Sequence, residues 1–184
     1  MKRTIKSMNK NYELKALDMV KTAFTDYSDA EEGLLVTELI QEIRGMDTHI
    51  PELELIMIDE GQNEVIGYVM FSKFHLEGRY NDELLLLSPA AVKTEYQRQH
   101  ISKELIEYGF QKATELGFKA VIVEGNPANY RSRGFVTAAD YGIFPGKSVD
   151  LPALECLMVK ELVPGALEEI HGVVEYTAYH TLNI

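Results

Sequence analysis

The sequence predicts an α/β (α+β) fold, a mixed and mostly antiparallel twisted sheet with one central parallel βαβ crossover and helices on both faces. Two observations carry this. Leu53 to Ile58 and Val65 to Phe74 are strand-like runs joined by Glu60-Gly61-Gln62-Asn63, turn residues at hairpin length, so they should pair antiparallel. Leu84 to Val92 and Ala120 to Val123 are apolar runs joined by an amphipathic helix, the order that makes a parallel pair.

Along the chain, a short strand is expected at Thr4 to Ser7. Asn9 and Asn11 are candidate caps of a helix on which Leu14, Leu17, Val20 and Phe24 recur at helical spacing. A second helix, Ala30 to Arg44, carries Leu35, Leu39, Ile40 and Ile43 on one face and stops at Gly45. In the second hairpin strand Ile66, Tyr68, Met70, Ser72 and Phe74 share one face while Val65, Val69 and Phe71 line the other, so both faces should be covered. Glu77 to Asp82 reads as a polar loop. Pro89 cannot donate to a ladder, so the strand around it must bulge or lose a neighbour. The crossover helix, Ile101 to Leu116, places Ile101, Leu105, Ile106, Phe110, Ala113 and Leu116 at apolar positions and closes on Gly117. Short strands and turns follow to Leu162, among them a strand over Leu154 to Leu162. Residues 1–184 are read as a single domain in which 163–184 form a C-terminal extension, a loosely attached tail.

The chain of 184 residues is 46% hydrophobic, enough for a sizeable core. A lone cysteine, Cys156, excludes an internal disulfide and a thiolate zinc site. No pair among His49, His75, His100, His171 and His180 has the i, i+4 spacing of a helical metal site, so no metal is expected. The N-terminal stretch is charged with no apolar run behind it, and no segment approaches the roughly 20 apolar residues that span a bilayer. These features predict a cytoplasmic protein without a membrane partner. A formal net charge of −11 opposes nucleic acid and suits a cationic small substrate, although such a charge also serves solubility.

The turn before the crossover helix holds the informative chemistry. A helix N-terminus presents unpaired N–H groups and roughly half a positive charge, and so attracts phosphate. Here the turn reads Gln97-Arg98-Gln99-His100-Ile101-Ser102. Taken alone it is an ordinary helix start. Taken with the Pro89 strand before it and Gly117-Phe118, an apolar strand and Asn126-Pro127-Ala128-Asn129-Tyr130-Arg131-Ser132-Arg133-Gly134-Phe135 after it, it resembles the core of the GNAT N-acetyltransferase superfamily, in particular a small bacterial branch with a Pro-Ala-x-Tyr-x-x-x-Gly-Phe segment. The likeness continues through Ala139-Asp140-Tyr141-Gly142-Ile143 and Val163-Pro164-Gly165-Ala166-Leu167 to about Tyr176. The sequence departs from the family's Gln/Arg-x-x-Gly-x-Gly/Ala loop at both small positions, where it has His100 and Ser102. A positive φ is costly for histidine. Either His100 points outward while its N–H still serves phosphate, with Arg98, Gln99 or Lys103 adding contacts, or the site has decayed.

The resemblance implies an acyltransferase that uses acetyl-CoA as donor and moves the acetyl group to a primary amine of a small molecule or peptide by direct attack in a ternary complex. It implies that Pro89 begins the splay that admits the pantetheine arm, that Ala91 and Val92 pair with that arm, and that Gln97, Arg98, Gln99, His100, Ile101, Ser102 and Lys103 hold the pyrophosphate. Asn126 and Tyr130 would lie beside the thioester, with Tyr130 as the general acid. Bland readings stand next to these: a helix cap for Asn126, and for Tyr130 a helix residue packed on the sheet with its hydroxyl at the surface. No general base stands out, because His75, Glu83 and Glu124 all read first as solvated strand-end residues. Two other functions are open, an acyl-CoA-binding or sensing module with lost catalysis and a non-enzymatic interaction domain; a homodimer is also open. The loops that shape the acceptor site, near Phe24 to Glu32 and Glu77 to Asp82, carry no motif that names the amine.

Overall fold

The computed structural model describes residues 1–183. In chain order the elements are β1 (Arg3–Ser7), α1 (Glu13–Tyr27), α2 (Ala30–Arg44), β2 (Glu54–Asp59), β3 (Glu64–Leu76), β4 (Arg79–Val92), α3 (Ile101–Glu115), β5 (Ala120–Glu124), α4 (Pro127–Tyr130), β6 (Val136–Thr137), β7 (Ile143–Pro145), β8 (Leu157–Glu161), α5 (Ala166–Glu169) and β9 (Gly172–Val174). Hydrogen bonding orders the strands β1-β2-β3-β4-β5-β8-β6 in a seven-stranded sheet, and β7 pairs with β9 in a sheet of two. The chain forms two compact units, one of Met1–Phe71 with Ser88–Gly109 and the other of Ser72–Leu87 with the residues from Phe110 onward.

In the first unit β1, β2 and β3 pair antiparallel, as the turn residues at Glu60 to Asn63 predict, with a bulge between Met57 and Ile58. Both faces of β2 and β3 are covered, and every residue of β2 is buried. Helix α2 occupies the predicted span: Asp29 caps it by accepting from the Glu32 amide at 2.9 Å, and Gly45 ends it. Helix α1 corrects two expectations. Its buried stripe is Ala16, Met19, Val20 and Ala23, while Leu14 is 82% exposed. The reason is close packing on α2: a Cβ added at Gly33 would lie 2.6 Å from the Lys21 carbonyl oxygen, so the contact is made of small residues rather than the bulky ones that dominate the periodicity. Neither asparagine caps α1; Asn9 instead accepts from the Asn11 amide in a local turn.

In the second unit the expected polar loop at Glu77 to Asp82 shrinks to the pair Glu77-Gly78, and β4 begins at Arg79. Glu77 and Gly78 both have positive φ, 53° and 81°, the conformation that a two-residue hairpin turn demands. Glu-Gly lacks the usual Asn-Gly or Asp-Gly signature, which hid the turn in the sequence. The predicted parallel pair is present. β4 meets β5 over Leu84↔Ala120 to Leu86↔Ile122, whereas β5 runs on to Glu124 in its antiparallel ladder with β8. Among the described residues the β4–β5 ladder ends at Leu86↔Ile122. Past α3, Gly117 takes φ 94° and the Phe118 amide closes onto the Ala113 carbonyl, a left-handed helix stop that leaves Leu116 exposed rather than in the apolar stripe. The strand expected from Leu154 is a 3-10 turn over Leu154–Cys156 followed by β8. The closing segment is no loose tail. Ala166, Leu167, Ile170, Val174, Tyr176 and Tyr179 are buried, and β9 runs parallel to β7, a second parallel pair that the sequence did not announce.

Candidate active site

The first unit contains the turn singled out in the sequence. After Ala91, which is buried, and Val92, the Lys93 amide returns to the Ile66 carbonyl at 3.0 Å, and Thr94–Tyr96 make a 3-10 turn. Three side-chain bonds fix this approach. Lys93 Nζ donates to Glu64 at 2.7 Å, Thr94 Oγ1 to Asp26 at 2.6 Å and the Tyr96 hydroxyl to Asp59 at 3.2 Å. The chain then passes through Arg98 at φ 60° and His100 at φ 63° before α3 begins at Ile101. The left-handed region costs a residue with a Cβ about 1–2 kcal/mol, and such residues persist where the surroundings hold them, commonly at ligand sites. The backbone thus takes conformations that glycine would have supplied without strain.

The start of α3 is seated by its apolar face. Ile101 and Leu105 lie so close to β3 that a Cβ on Gly67 would be 2.5 Å from Ile101 Cγ2. Gln97, Arg98, Gln99 and His100 are exposed, and the Arg98 and His100 side chains make no hydrogen bond or ion pair among the described residues. Lys103 pairs loosely with Glu107 at 3.9 Å. The first amides of α3 have no acceptor within the helix, and its dipole is positive at this end. The arrangement suits an anion. His100 does lie outward, as one of its two sequence readings requires.

The other predicted residues lie in the second unit, beyond the C-terminal end of β5. Asn126 caps α4 by accepting from the Ala128 amide at 2.9 Å. Tyr130, the last residue of α4, packs its ring edge-on against Phe135 at 5.6 Å, and Phe135 in turn meets Phe110 at 5.7 Å. A Cβ on Gly125 would be 2.6 Å from Tyr130 Cε2, so the ring rests on the chain immediately after Glu124. The Tyr130 hydroxyl has no hydrogen-bond partner among the described residues. Burial pushes its pKa up, against the pull of the Arg133 guanidinium 5.9 Å from the ring centre. It is therefore a protonated donor at neutral pH.

The structure separates the three base candidates. His75 uses Nδ1 to accept from the Gly78 amide at 2.9 Å, and Glu83 is paired with Lys119 at 3.1 Å. Glu124 differs. Its Oε2 accepts from the Tyr176 hydroxyl at 2.9 Å, and its Oε1 has no partner among the described residues. Although the residue as a whole is exposed, desolvation of the carboxylate is the largest effect on it and pushes its pKa up; Asp150 pushes the same way, and the Tyr176 bond opposes. Burial raises the Tyr176 phenol, first by desolvation and then through Glu124, so it remains a donor. Tyr176 packs against Phe74 and Tyr179, each with ring centres 6.3 Å away. Sequence reasoning missed Tyr176 because it lies in the segment read as a tail; the recurrence of Ile170, Val174, Tyr176 and Tyr179 was the signal available. Among the described residues no cluster of three or more His, Cys, Asp or Glu side chains is placed to hold a metal, and no helix is long and apolar enough to cross a membrane.

Comparison with known proteins adds to this geometry. The model of a family described as the acetyltransferase (GNAT) family matches residues 16–141. A curated relative, the uncharacterized N-acetyltransferase YhbS of Escherichia coli K12, is 34% identical over 121 residues, 64% of this chain and 67% of its own. The crystal structure of Escherichia coli YhbS, in complex with CoA, superimposes with TM-score 0.84 at 24% identity, covering 100% of this chain and 92% of its own. A GNAT family acetyltransferase from Brucella melitensis, in complex with acetyl-CoA, gives TM-score 0.68 at 21% identity over 96% of this chain and 97% of its own.

Proposed function

The chain belongs to the acetyltransferase (GNAT) family, and from that premise we propose that it moves the acetyl group of acetyl-CoA onto a primary amine of a small molecule or peptide by direct attack in a ternary complex. The observation that carries the reading is the loop before α3, whose backbone takes left-handed turns at Arg98 and His100 without any glycine and leads into the unpaired first amides of a helix. A decayed loop has no reason to keep that strain. His100, the reason to weigh a binding module without catalysis, thus supports a working site.

In this reading the amides of Gln97 to Lys103 hold the pyrophosphate, with the Arg98 guanidinium as a second contact. Ala91 and Val92, at the C-terminal end of β4, offer backbone groups to the pantetheine amides. Bound acetyl-CoA supplies an activated thioester. In this reading Glu124 Oε1 removes a proton from the substrate ammonium, and the freed nitrogen lone pair forms the new C–N bond at the thioester carbon. As the carbonyl re-forms, the C–S bond breaks and the sulfur keeps its electron pair. The Tyr130 hydroxyl gives that thiolate its proton, and the proton left on nitrogen passes to water, so that the products are an amide and free CoA. A carboxyl with a raised pKa and a phenol held protonated are the base and the acid this sequence of steps needs near neutral pH.

Isothermal titration with acetyl-CoA, followed by a thiol-release assay over a panel of primary amines, tests the proposal. One site per chain and release of thiol with at least one amine are expected. No binding at millimolar acetyl-CoA overturns the reading, and binding without thiol release for any amine leaves the module without catalysis in its place.

A further inference from the structure

We propose that Arg3, the first residue of β1, is a positioning residue for the pyrophosphate of CoA, holding the loop between its two left-handed residues and cancelling the acidic charge in the first turn of α3. The inference rests on the CoA site proposed above. Arg3 Nη2 donates to the Gln99 carbonyl at 3.2 Å and forms an ion pair with the Glu104 carboxylate. Gln99 stands between Arg98 and His100, the two residues with positive φ. The bonds at Lys93, Thr94 and Tyr96 stop short of this pair, and Arg3 reaches between its members. Its own backbone is anchored, since it pairs with Asp59 across β1 and β2.

Electrostatics gives the same residue a second task. Glu104 is the acidic residue in the first turn of α3. There it favours the empty helix, because its charge opposes the positive end of the dipole, but it repels a bound phosphate. The Arg3 guanidinium offsets that repulsion at its source, although solvent screens the pair in part, with 24% of the Arg3 side chain and 43% of the Glu104 side chain exposed. One nitrogen, Nη2, serves both acceptors, so a single guanidinium holds the loop carbonyl and the Glu104 carboxylate together.

The test uses the full chain with Arg3→Ala and Arg3→Lys, two acetyl donors and thermal unfolding. S-acetylpantetheine carries the thioester and lacks the pyrophosphate, so it separates positioning of that group from general damage. Arg3→Ala is expected to raise the Kd for CoA and the KM for acetyl-CoA by about tenfold, the scale of one charge-assisted contact. Expected alongside are a kcat within about twofold of the parent and an unchanged kcat/KM for S-acetylpantetheine. Arg3→Lys, which keeps the charge and loses the fork, should fall between. Adding Glu104→Gln to Arg3→Ala should recover part of the lost CoA affinity. A CoA Kd within about twofold of the parent in both Arg3 variants overturns the inference, as does an equal loss with both donors, which marks a fold effect. Should the parent itself not bind CoA, the proposed function fails and takes this inference with it; a parent that binds beside an indifferent Arg3→Ala removes Arg3 alone.

Discussion

The loop before α3 and the corner around Glu124 and Tyr130 are built on opposite principles. In the proposed reading the loop works through its backbone: its side chains at 97–100 are exposed, Arg98 and His100 are left-handed, and the chemistry it offers is that of amides at a helix start. The corner works through side chains. There the rings of Tyr130, Phe135 and Phe110 pack together, Glu124 is fixed by Tyr176, and removal from water pushes both the carboxyl and the phenols upward. Holding a phosphate asks for geometry that water does not disturb, whereas moving protons asks for groups whose affinity for them has been changed. Substitutions in the two regions should therefore separate cleanly, with binding constants moving in one and turnover in the other.

The widest separation is expected from Tyr130→Phe. Losing only the hydroxyl should leave the CoA Kd and the melting temperature near the parent values and lower kcat by about 10² to 10⁴, the usual scale of general acid help. Turnover at the parent rate would show that the thiolate leaves unprotonated or takes its proton from water, and the corner would lose its claim to chemistry.

Glu124→Gln sharpens the contrast through pH. The carboxyl's folded pKa lies above its ordinary value, so kcat/KM should rise with pH through that raised value as the base is freed. The Gln variant should lose that limb and run about 10²-fold slower on its plateau. Stability should move the other way. A raised folded pKa means that the protonated carboxyl favours the fold below its unfolded pKa, and that this contribution is lost as pH rises through the folded value. At neutral pH the charged Glu124 is thus a burden on the fold, and Glu124→Gln should melt higher than the parent at pH 7 and lose that advantage in acid. A variant with the parent's pH profile removes Glu124 from the mechanism.

The smallest effect belongs to His100→Gly. If only the backbone of His100 serves the phosphates, glycine at φ 63° relieves strain and CoA affinity should hold or improve by a few-fold, with kcat untouched. A large loss of affinity would show that the imidazole contacts the ligand, and the loop would then depend on a side chain as the corner does.

Sequence reading succeeded where several local signals agreed. Helix α2 has a cap, a period and a glycine stop that point to the same ends, and the crossover has its strand, helix and strand in the right order with Gly117 where the helix closes. It failed where packing chose small residues over large ones, as on α1, where Ala16 and Ala23 face inward and Leu14 does not. It also failed where a residue took a conformation foreign to its type. Glu77 in the turn before β4, and Arg98 and His100 in the loop, have positive φ that no feature of their side chains announces. In the candidate site, the Asn126 cap was legible from its Asn-Pro sequence, whereas a place for Tyr130 in the chemistry came only from the family resemblance. Tyr176 was not legible, because its importance lies in a partner 52 residues away.

That distance orders events in time as well as in space. The side chains that hold the loop before α3, from Arg3 through Asp26, Asp59 and Glu64 to Leu105, have been synthesised before the ribosome reaches Glu124. The phenol that orients Glu124 is translated 52 residues after it. In the proposed reading, a nascent chain carries the parts of the phosphate-binding loop well before it carries both members of the Glu124–Tyr176 pair, so the capacity to grip would precede the capacity to react.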